Sequence, residues 1–323
     1  GRNPGALDSG ILAESGATGV VIEDNQVDGN LFGISLQGPK DARVRNNRIH
    51  NRSDLRLNER GNGINVWNTT GAIIEGNQVR GGRDGLFITT ANGNVIHGNR
   101  FEDVRFAVHY MYANDNEISD NVSIGNHVGY ALMFSNNLKI YRNVSLRDRD
   151  HGLMIHTCYR SDVADNYIRD TEDKCVFIYT AAQNKIHGNR FEGCGTGIHF
   201  TGGSEDNKVY ENAFINNRTQ VKYPGMVSYE WSYHGRGNYW SDNPAFDLKG
   251  NGIADVAYHP NDILDRVMWK YPTAKLLLSS PALVTLRAAQ SQFPAISPGG
   301  VVDSAPLMKP PSLSVALPPE GSR

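Results

Sequence analysis

The sequence predicts an all-β protein, a right-handed parallel β-helix of about ten coils with a C-terminal helical cap and an extended tail. Two repeating features predict this solenoid. Anchor residues recur every 22 or 23 residues, except for one gap of 30 residues between Gly33 and Gly63. Fourteen or fifteen residues after nine of these anchors comes an asparagine, and Ile or Val lies three residues before each asparagine. The anchors are Gly10, Gly33, Gly63, Gly85, Ala107, Gly129, Gly152, Cys175, Gly197 and Gln220, and the asparagines are Asn25, Asn47, Asn77, Asn99, Asn121, Asn143, Asn166, Asn189 and Asn212.

The repeat favours strands over helices. A unit of 22 or 23 residues is too short for a strand and a helix with their loops, whereas it accommodates three short strands joined by turns. Apolar Val, Ile and Leu alternate with polar residues, which is typical of strands. We expect each asparagine to occupy a turn with a tight or left-handed backbone, and its amide to bond to the equivalent amide of the next coil. The asparagines are therefore interpreted as scaffold.

Three segments follow from where this period holds. We predict a β-helix over residues 1–224, a capping segment over 225–292 and a Pro-rich tail over 293–323. Short helices are expected at Asp262–Lys270 and Ala282–Gln292 within the capping segment. The longer spacing places an inserted surface loop at Asn51–Arg60. The first residues do not resemble a signal peptide and start near a repeat boundary, so we expect further residues upstream.

Composition excludes two classes of function. The formal net charge is −2 and there is no long basic stripe, which argues against nucleic-acid binding. No stretch of 18 apolar residues is present, so no transmembrane span is expected. The three cysteines, Cys158, Cys175 and Cys194, occupy different positions of the repeat, and stacked coils would not bring two of them face to face. We therefore expect no structural disulfide.

The sharpest chemical signal is a set of methionines and histidines in three successive coils. The first and third residues after each anchor are apolar and should face inward, so the second and fourth should face outward. Stacking then places Met111, Met133 and His156 in one outward column. His109 and Met154 lie in the column beside it, separated by the small Ala131. Thioether sulfur and imidazole nitrogen suit Cu(I).

An apolar docking surface is the alternative interpretation of these residues. Exposed methionines next to Phe87, Phe177 and Tyr179 would form a patch for another protein, with the histidines at its rim. The two interpretations are compatible, because a metal passed between proteins must lie within a contact surface.

An enzymatic alternative rests on Asp148, Asp150 and His151. Two carboxylates and a histidine can serve acid–base chemistry, and many parallel β-helix proteins bind or modify polysaccharides as lyases or epimerases. A solvated, charged turn explains the same residues. The spacing from Asp247 to Asp255 partly matches a calcium loop, but Lys249 replaces a ligand, so a glycine-rich turn held by side-chain bonds is expected instead.

The asparagine-laddered coils, the segment GNYWSD…GNGIAD at Gly237–Asp255, the helical stretch and the Pro-rich tail together resemble the NosD family. Members of that family are periplasmic β-helix (CASH-type repeat) maturation proteins of nitrous oxide reductase. The resemblance implies a non-enzymatic, periplasmic role in assembling the copper centre of that reductase, with Cu(I) bound transiently.

The same resemblance implies three partners: the membrane subunit of an ABC transporter, a copper-chaperone lipoprotein and nitrous oxide reductase. The protein would then associate with the membrane through a partner. It also makes the tail a candidate contact to the transporter. The tail residues expected to bind this partner are Phe293, Pro294, Leu307, Met308 and Pro310.

Overall fold

The protein is a parallel β-solenoid of about ten coils, as the sequence predicts. A computed structural model describes residues 8–223, 225, 227–271, 273, 280–281, 285 and 299–318. Three parallel sheets of ten, nine and ten strands run along the solenoid, and each coil contributes one strand to each sheet. None of the helices in the described ranges is long and apolar enough to cross a membrane.

The strands of the first five coils are β1 (Ser9–Glu14), β2 (Val21–Glu23), β3 (Gln26–Asp28), β4 (Phe32–Gln37), β5 (Arg43–Arg45), β6 (Arg48–His50), β7 (Ile64–Trp67), β8 (Ile73–Glu75), β9 (Gln78–Arg80), β10 (Leu86–Thr89), β11 (Val95–His97), β12 (Arg100–Glu102), β13 (Phe106–Met111), β14 (Glu117–Ser119) and β15 (Val122–Ile124). The remaining coils contain β16 (Val128–Met133), β17 (Lys139–Tyr141), β18 (Val144–Leu146), β19 (His151–His156), β20 (Asp162–Ala164), β21 (Tyr167–Arg169), β22 (Lys174–Tyr179), β23 (Lys185–His187), β24 (Arg190–Glu192), β25 (Thr196–Phe200), β26 (Lys208–Tyr210), β27 (Ala213–Ile215) and β28 (Thr219–Lys222). After them come β29 (Tyr229–Glu230), β30 (Tyr239–Trp240), the helix α1 (Ile263–Lys270) and β31 (Val301–Val302).

We call the sheet that contains the first strand of each coil sheet A; its strands are β1, β4, β7, β10, β13, β16, β19, β22, β25 and β28. Sheet B contains the second strands, β2 to β26, and sheet C the third strands, β3 to β27, with β30 added at its end. Neighbouring strands pair in register, so equivalent residues of successive coils stack directly. Alternation within each strand sends one set of apolar side chains into the solenoid, where Ile64, Val66, Leu86 and Ile88 are fully buried.

The asparagine ladder is present and forms a continuous column of buried hydrogen bonds. The side-chain amide of Asn121, for example, donates to Oδ1 of Asn143 over 3.0 Å and to the carbonyl oxygen of Ile96 over 2.9 Å. The predicted left-handed backbone, however, lies one residue earlier: Asp120 has φ 56°, whereas Asn121 is not left-handed. The ladder asparagine therefore does not itself make the turn, and its amide satisfies backbone groups on both sides of it.

The expectation of no disulfide is wrong, because Cys175 and Cys194 are bonded, with their Cα atoms 5.6 Å apart. The expectation considered only equivalent positions of stacked coils. Cys175 begins the sheet A strand of one coil, and Cys194 lies in the turn that ends the same coil. The bond crosses the corner between sheets C and A. Cys158 is free and buried.

The inserted segment at residues 51–60 is a surface loop between β6 and β7, with a short 3-10 helix at Leu57–Glu59. The expected helix over Asp262–Lys270 is present as α1, which Asp262 caps through the backbone N–H of Asp265. The segment Ala282–Gln292 lies largely outside the described residues. The division into three segments stays a prediction.

Part of the Pro-rich tail packs against the rest of the chain. β31 pairs with β29, and Leu307 forms bridges with Tyr239 and Ile253. Farther along, Leu313 and Val315 pack against an apolar patch on the outside of sheet C. That patch consists of Val122, Ile124, Val144, Leu146 and Tyr167.

Candidate metal centre

The predicted outward columns are brought together on the outer face of sheet A. Met111 pairs with Met133, and Met133 pairs with His156. In the neighbouring column His109 pairs with Ala131, and Ala131 pairs with Met154. Parallel strands place successive residues of each column about 4.8 Å apart. The phase of the repeat, read from the sequence, was therefore correct for all five candidate ligands.

His109 is held by a buried ion-pair cluster. Its Nδ1 lies 2.9 Å from Oδ2 of Asp84, a residue of the preceding coil that is only 2 % exposed. Arg105 donates to both oxygens of Asp84, from Nε over 2.8 Å and from a terminal nitrogen over 2.7 Å. Burial alone raises the pKa of Asp84, but hydrogen bonds from His109 and Arg105 and the guanidinium charge outweigh it and hold that pKa below its usual value.

Two aromatic rings hold the His109 imidazole. The ring centroid of Phe87 lies 4.8 Å from that of His109, and Phe106 meets it edge-on at 5.0 Å. His109 is 7 % exposed, and its Nε2 is buried without a hydrogen-bond partner among the described residues. A buried nitrogen without a partner is costly, by about 1–3 kcal/mol. Such an atom fits a site that a ligand completes.

Ala131 leaves space at the centre of this face. It is fully buried although it points outward, so larger neighbours cover it. Met133 follows it two residues later on the same strand, and Met154 is its register partner on the next strand. One imidazole nitrogen and two thioether sulfurs around a small residue form a soft donor set that fits Cu(I) better than a hard cation. No three His, Cys, Asp or Glu side chains in the described part of the chain form a metal-binding group, so the methionines are essential to this interpretation.

An aromatic stack borders the column of Met111, Met133 and His156. Tyr112 stacks on Phe134 at 5.2 Å, and the ring of His156 lies 4.9 Å from Phe134 and 4.9 Å from Tyr179. Tyr112 and Phe134 have φ of 54° and 51°, in the left-handed region that bulky residues rarely adopt. Sequence reasoning identified Tyr179 but missed this stack, and it also missed the Asp84–Arg105 pair. The recurrence of an aromatic directly after Met111 and Met133 was the available signal for the stack.

The acid–base candidates do not form a catalytic site. Asp148 is fully buried inside the solenoid, where its carboxylate accepts from the hydroxyls of Ser123 and Ser145 and from the backbone N–H of Asn126. Burial raises the pKa of Asp148 to about 6, although these hydrogen bonds oppose the shift. Asp150 instead lies at the surface, 3.0 Å from Nε2 of His127. Asp148 therefore has a structural role.

The turn after Asp247 also has a structural explanation, as expected. Asp247 accepts from the backbone N–H groups of Gly250, Asn251 and Gly252, and Asp255 pairs with Lys249 at 3.0 Å. Its carboxylate oxygens are thus engaged by the loop itself, which agrees with a turn held by side-chain bonds.

The tail residues expected to bind a partner are placed differently from one another. Leu307 is 6 % exposed and packs within the chain, Met308 is half-buried and Pro310 is exposed. Phe293 and Pro294 lie outside the described residues. Of the positions described, Pro310 is the most open to a partner.

Comparison with known proteins identifies the family. Residues 46–245 match the sequence profile described as "Periplasmic copper-binding protein (NosD)". The chain belongs to the NosD family. A "Probable ABC transporter binding protein NosD" of Pseudomonas aeruginosa is 48% identical over 325 residues, which cover 97% of this chain and 76% of that protein. A protein of the same name from Stutzerimonas stutzeri is 44% identical, over 95% of this chain and 74% of its own length.

Membership of this family gives the protein a periplasmic location and a copper-binding family description. A disulfide is consistent with that oxidising compartment. Among solved structures, the periplasmic alginate epimerase AlgG is 18% identical with a TM-score of 0.44, covering 69% of this chain and 50% of its own. A DFA-IIIase from Arthrobacter chlorophenolicus A6 is 14% identical with a TM-score of 0.43, covering 74% of this chain and 57% of its own. Similarity this distant has no bearing on activity.

Proposed function

We propose that the protein is a non-enzymatic accessory factor that carries Cu(I) transiently for the assembly of the copper centre of nitrous oxide reductase. Its partners in this role are an ABC transporter, a copper-chaperone lipoprotein and the reductase. The copper-binding description of its family and the transporter-binding names of its relatives support the general role. The observation that carries the proposal is the outer face of sheet A.

On that face, Met111, Met133, His156, His109 and Met154 are five soft or borderline donors in two adjacent columns. The unpartnered Nε2 of His109 provides a donor atom that the protein itself leaves unused. Thioethers favour Cu(I) over Cu(II), and neutral donors bind it without adding charge to the site. Since the columns lie on an open face rather than in a closed cavity, a bound ion remains accessible to a second protein.

Partner binding fits the aromatic and methionine residues around the same columns. Trp67 and Tyr112 are 49% and 56% exposed, and exposed aromatics of this kind are enriched where proteins meet. The exposed part of the tail after Met308 is the second candidate contact and would reach the transporter. The buried Leu307 then anchors the tail to the chain, and residues from Lys309 onward face the partner.

An anaerobic competition titration against a chromophoric Cu(I) chelator tests the copper site. We expect the triple variant Met111→Ala/Met133→Ala/His156→Ala and the double variant His109→Ala/Met154→Ala to bind Cu(I) at least about tenfold more weakly than the wild type. The matched control is Gln37→Ala/Trp67→Ala/Thr89→Ala, in the same outward column three coils earlier. Equal affinity of the wild type and both site variants would contradict the site.

Co-purification with the transporter tests the tail contact. A chain that ends after Met308 keeps the buried Leu307 but loses the exposed segment, and we expect it to be lost from detergent-solubilised transporter complexes. The matched control is Arg52→Ala/Arg56→Ala in the inserted loop, which should co-purify as the wild type does. Retention of the truncated chain at the wild-type level would rule out this contact.

A further inference from the structure

We propose that Asp84, clamped by Arg105, is a positioning residue that fixes His109 in the tautomer whose Nε2 lone pair binds Cu(I). This inference rests on the proposed function, because it explains how one donor of the Cu(I) site is prepared. It assigns Asp84 and Arg105 a role in metal binding although neither contacts the metal.

The first step concerns the proton on His109. Both oxygens of Asp84 are engaged by the guanidinium of Arg105, in the paired geometry typical of an ionised carboxylate. An ionised carboxylate only accepts hydrogen bonds, so the 2.9 Å contact to Nδ1 of His109 requires the proton on Nδ1. In the neutral imidazole, Nε2 is then left with the lone pair.

The second step concerns direction. The two nitrogens lie on opposite sides of the imidazole ring, and Nδ1 faces Asp84 in the preceding coil. Nε2 therefore points away from that coil, and its burial shows that it points beneath other side chains rather than into solvent. The register neighbour of His109 on the following strand is Ala131, whose small side chain leaves room there. Phe87 and Phe106 contact the ring and oppose its rotation.

The third step is chemical. A metal-binding histidine generally donates its second N–H to a carboxylate or carbonyl, which fixes the ring and makes the other nitrogen a better donor. Loss of such a partner weakens metal affinity by about 10–100-fold. The Asp84–His109 pair has this arrangement before any metal binds, so the site requires little reorganisation when Cu(I) arrives.

Two measurements on Asp84→Asn and the wild type test the inference. Nitrogen-15 NMR of the copper-free wild type should show His109 protonated on Nδ1, with an unprotonated Nε2. An asparagine at position 84 must place an N–H group against either His109 or Arg105, so the single tautomer should be lost. The Cu(I) affinity of Asp84→Asn should fall by about 10–100-fold.

Asp120→Asn is the matched control. Asp120 also accepts two bonds from an arginine, Arg142, over 2.8 and 2.6 Å, and lies 3.3 Å from Nδ1 of a histidine, His97. It follows a strand of sheet B, away from the methionines. We expect Asp120→Asn to keep the wild-type Cu(I) affinity. Equal losses in the two variants would overturn the inference, since they would indicate a general effect on folding.

The outcomes separate this inference from the proposed function. If the wild type binds Cu(I) and Asp84→Asn binds it equally well, the positioning role is wrong and the proposed function stands. If the wild type binds no Cu(I), the proposed function fails, whatever the tautomer. If Asp84→Asn does not fold, a wild-type His109 protonated on Nε2 overturns the inference, and one protonated on Nδ1 supports it.

Discussion

The backbone N–H of Asn238 donates to Oδ2 of Asp303 over 2.7 Å, and this bond ends the asparagine ladder. Asn238 itself accepts from Asn212, so it is a tenth member of the ladder, in the position where an eleventh asparagine would otherwise follow. The same carboxylate oxygen accepts from the indole N–H of Trp240 over 2.8 Å. A single tail residue therefore completes the polar column of the solenoid and ties the tail to it.

Asp303→Ala should release the tail without unfolding the coils. The substitution leaves the buried N–H groups of Asn238 and Trp240 without an acceptor, at a cost of about 1–3 kcal/mol each. We expect faster protease cleavage within residues 299–318 and a red-shifted tryptophan emission. Ser304→Ala, at the exposed neighbouring residue, is the control. Cleavage at the wild-type rate in Asp303→Ala would contradict this role.

Asn121→Ala should destabilise the solenoid by about 3 kcal/mol or more, because it leaves several buried backbone and side-chain groups without partners. Asn121 accepts from the backbone and amide of Asn99 and donates to Asn143, Ser119 and Ile96. Urea unfolding followed by circular dichroism measures the change. Asn25→Ala, at the half-buried start of the ladder, should cost less than about 1 kcal/mol. Equal costs at the two positions would argue against a buried ladder as the source of stability.

Asp148 should make stability fall as the pH rises from about 4 to about 6. Its pKa in the folded protein is raised to about 6 by burial, above the 3.8 expected when unfolded, so the folded state binds the proton more tightly. The protonated form thus favours folding, and this contribution is lost as pH rises through the folded pKa. The shift corresponds to about 3 kcal/mol at most.

The free energy of unfolding of the wild type and Asp148→Asn, measured from pH 4 to pH 7, isolates this effect. The variant cannot titrate at this position, so its stability advantage or deficit relative to the wild type should shift in its favour by up to about 3 kcal/mol over that range. A difference between the two proteins that does not vary with pH would refute the prediction.

Removal of the disulfide should lower stability without abolishing the fold. The bond between Cys175 and Cys194 closes a loop with a sequence separation of 19, for which loss of the cross-link costs about 3 kcal/mol. Cys175→Ala/Cys194→Ala should therefore unfold at lower urea concentration than the wild type. Addition of a reductant should destabilise the wild type but not this variant. A reductant effect of the same size on both proteins would indicate that the disulfide is not its cause.

The repeat fixed much of the architecture before any coordinates. Its period and its alternation predicted the coils, the inward residues and the register in which Met111, Met133 and His156 stack. These features were predictable because each depends only on which residues lie one coil apart. The turn geometry was predicted less well, since the left-handed residue lies just before the asparagine, at Asp120 rather than Asn121.

Contacts between non-equivalent positions required the tertiary structure. Cys175 and Cys194 lie at the start and end of one coil, Asp84 reaches His109 from a different column, and Asp303 reaches Asn238 across 65 residues. No periodic pattern relates these pairs, because each depends on how a corner or a chain end folds. The sequence by itself determined a solenoid with its soft ligands on one face. Only the folded chain decided which nitrogen of His109 is free to bind a metal, because a carboxylate from the preceding coil takes the other.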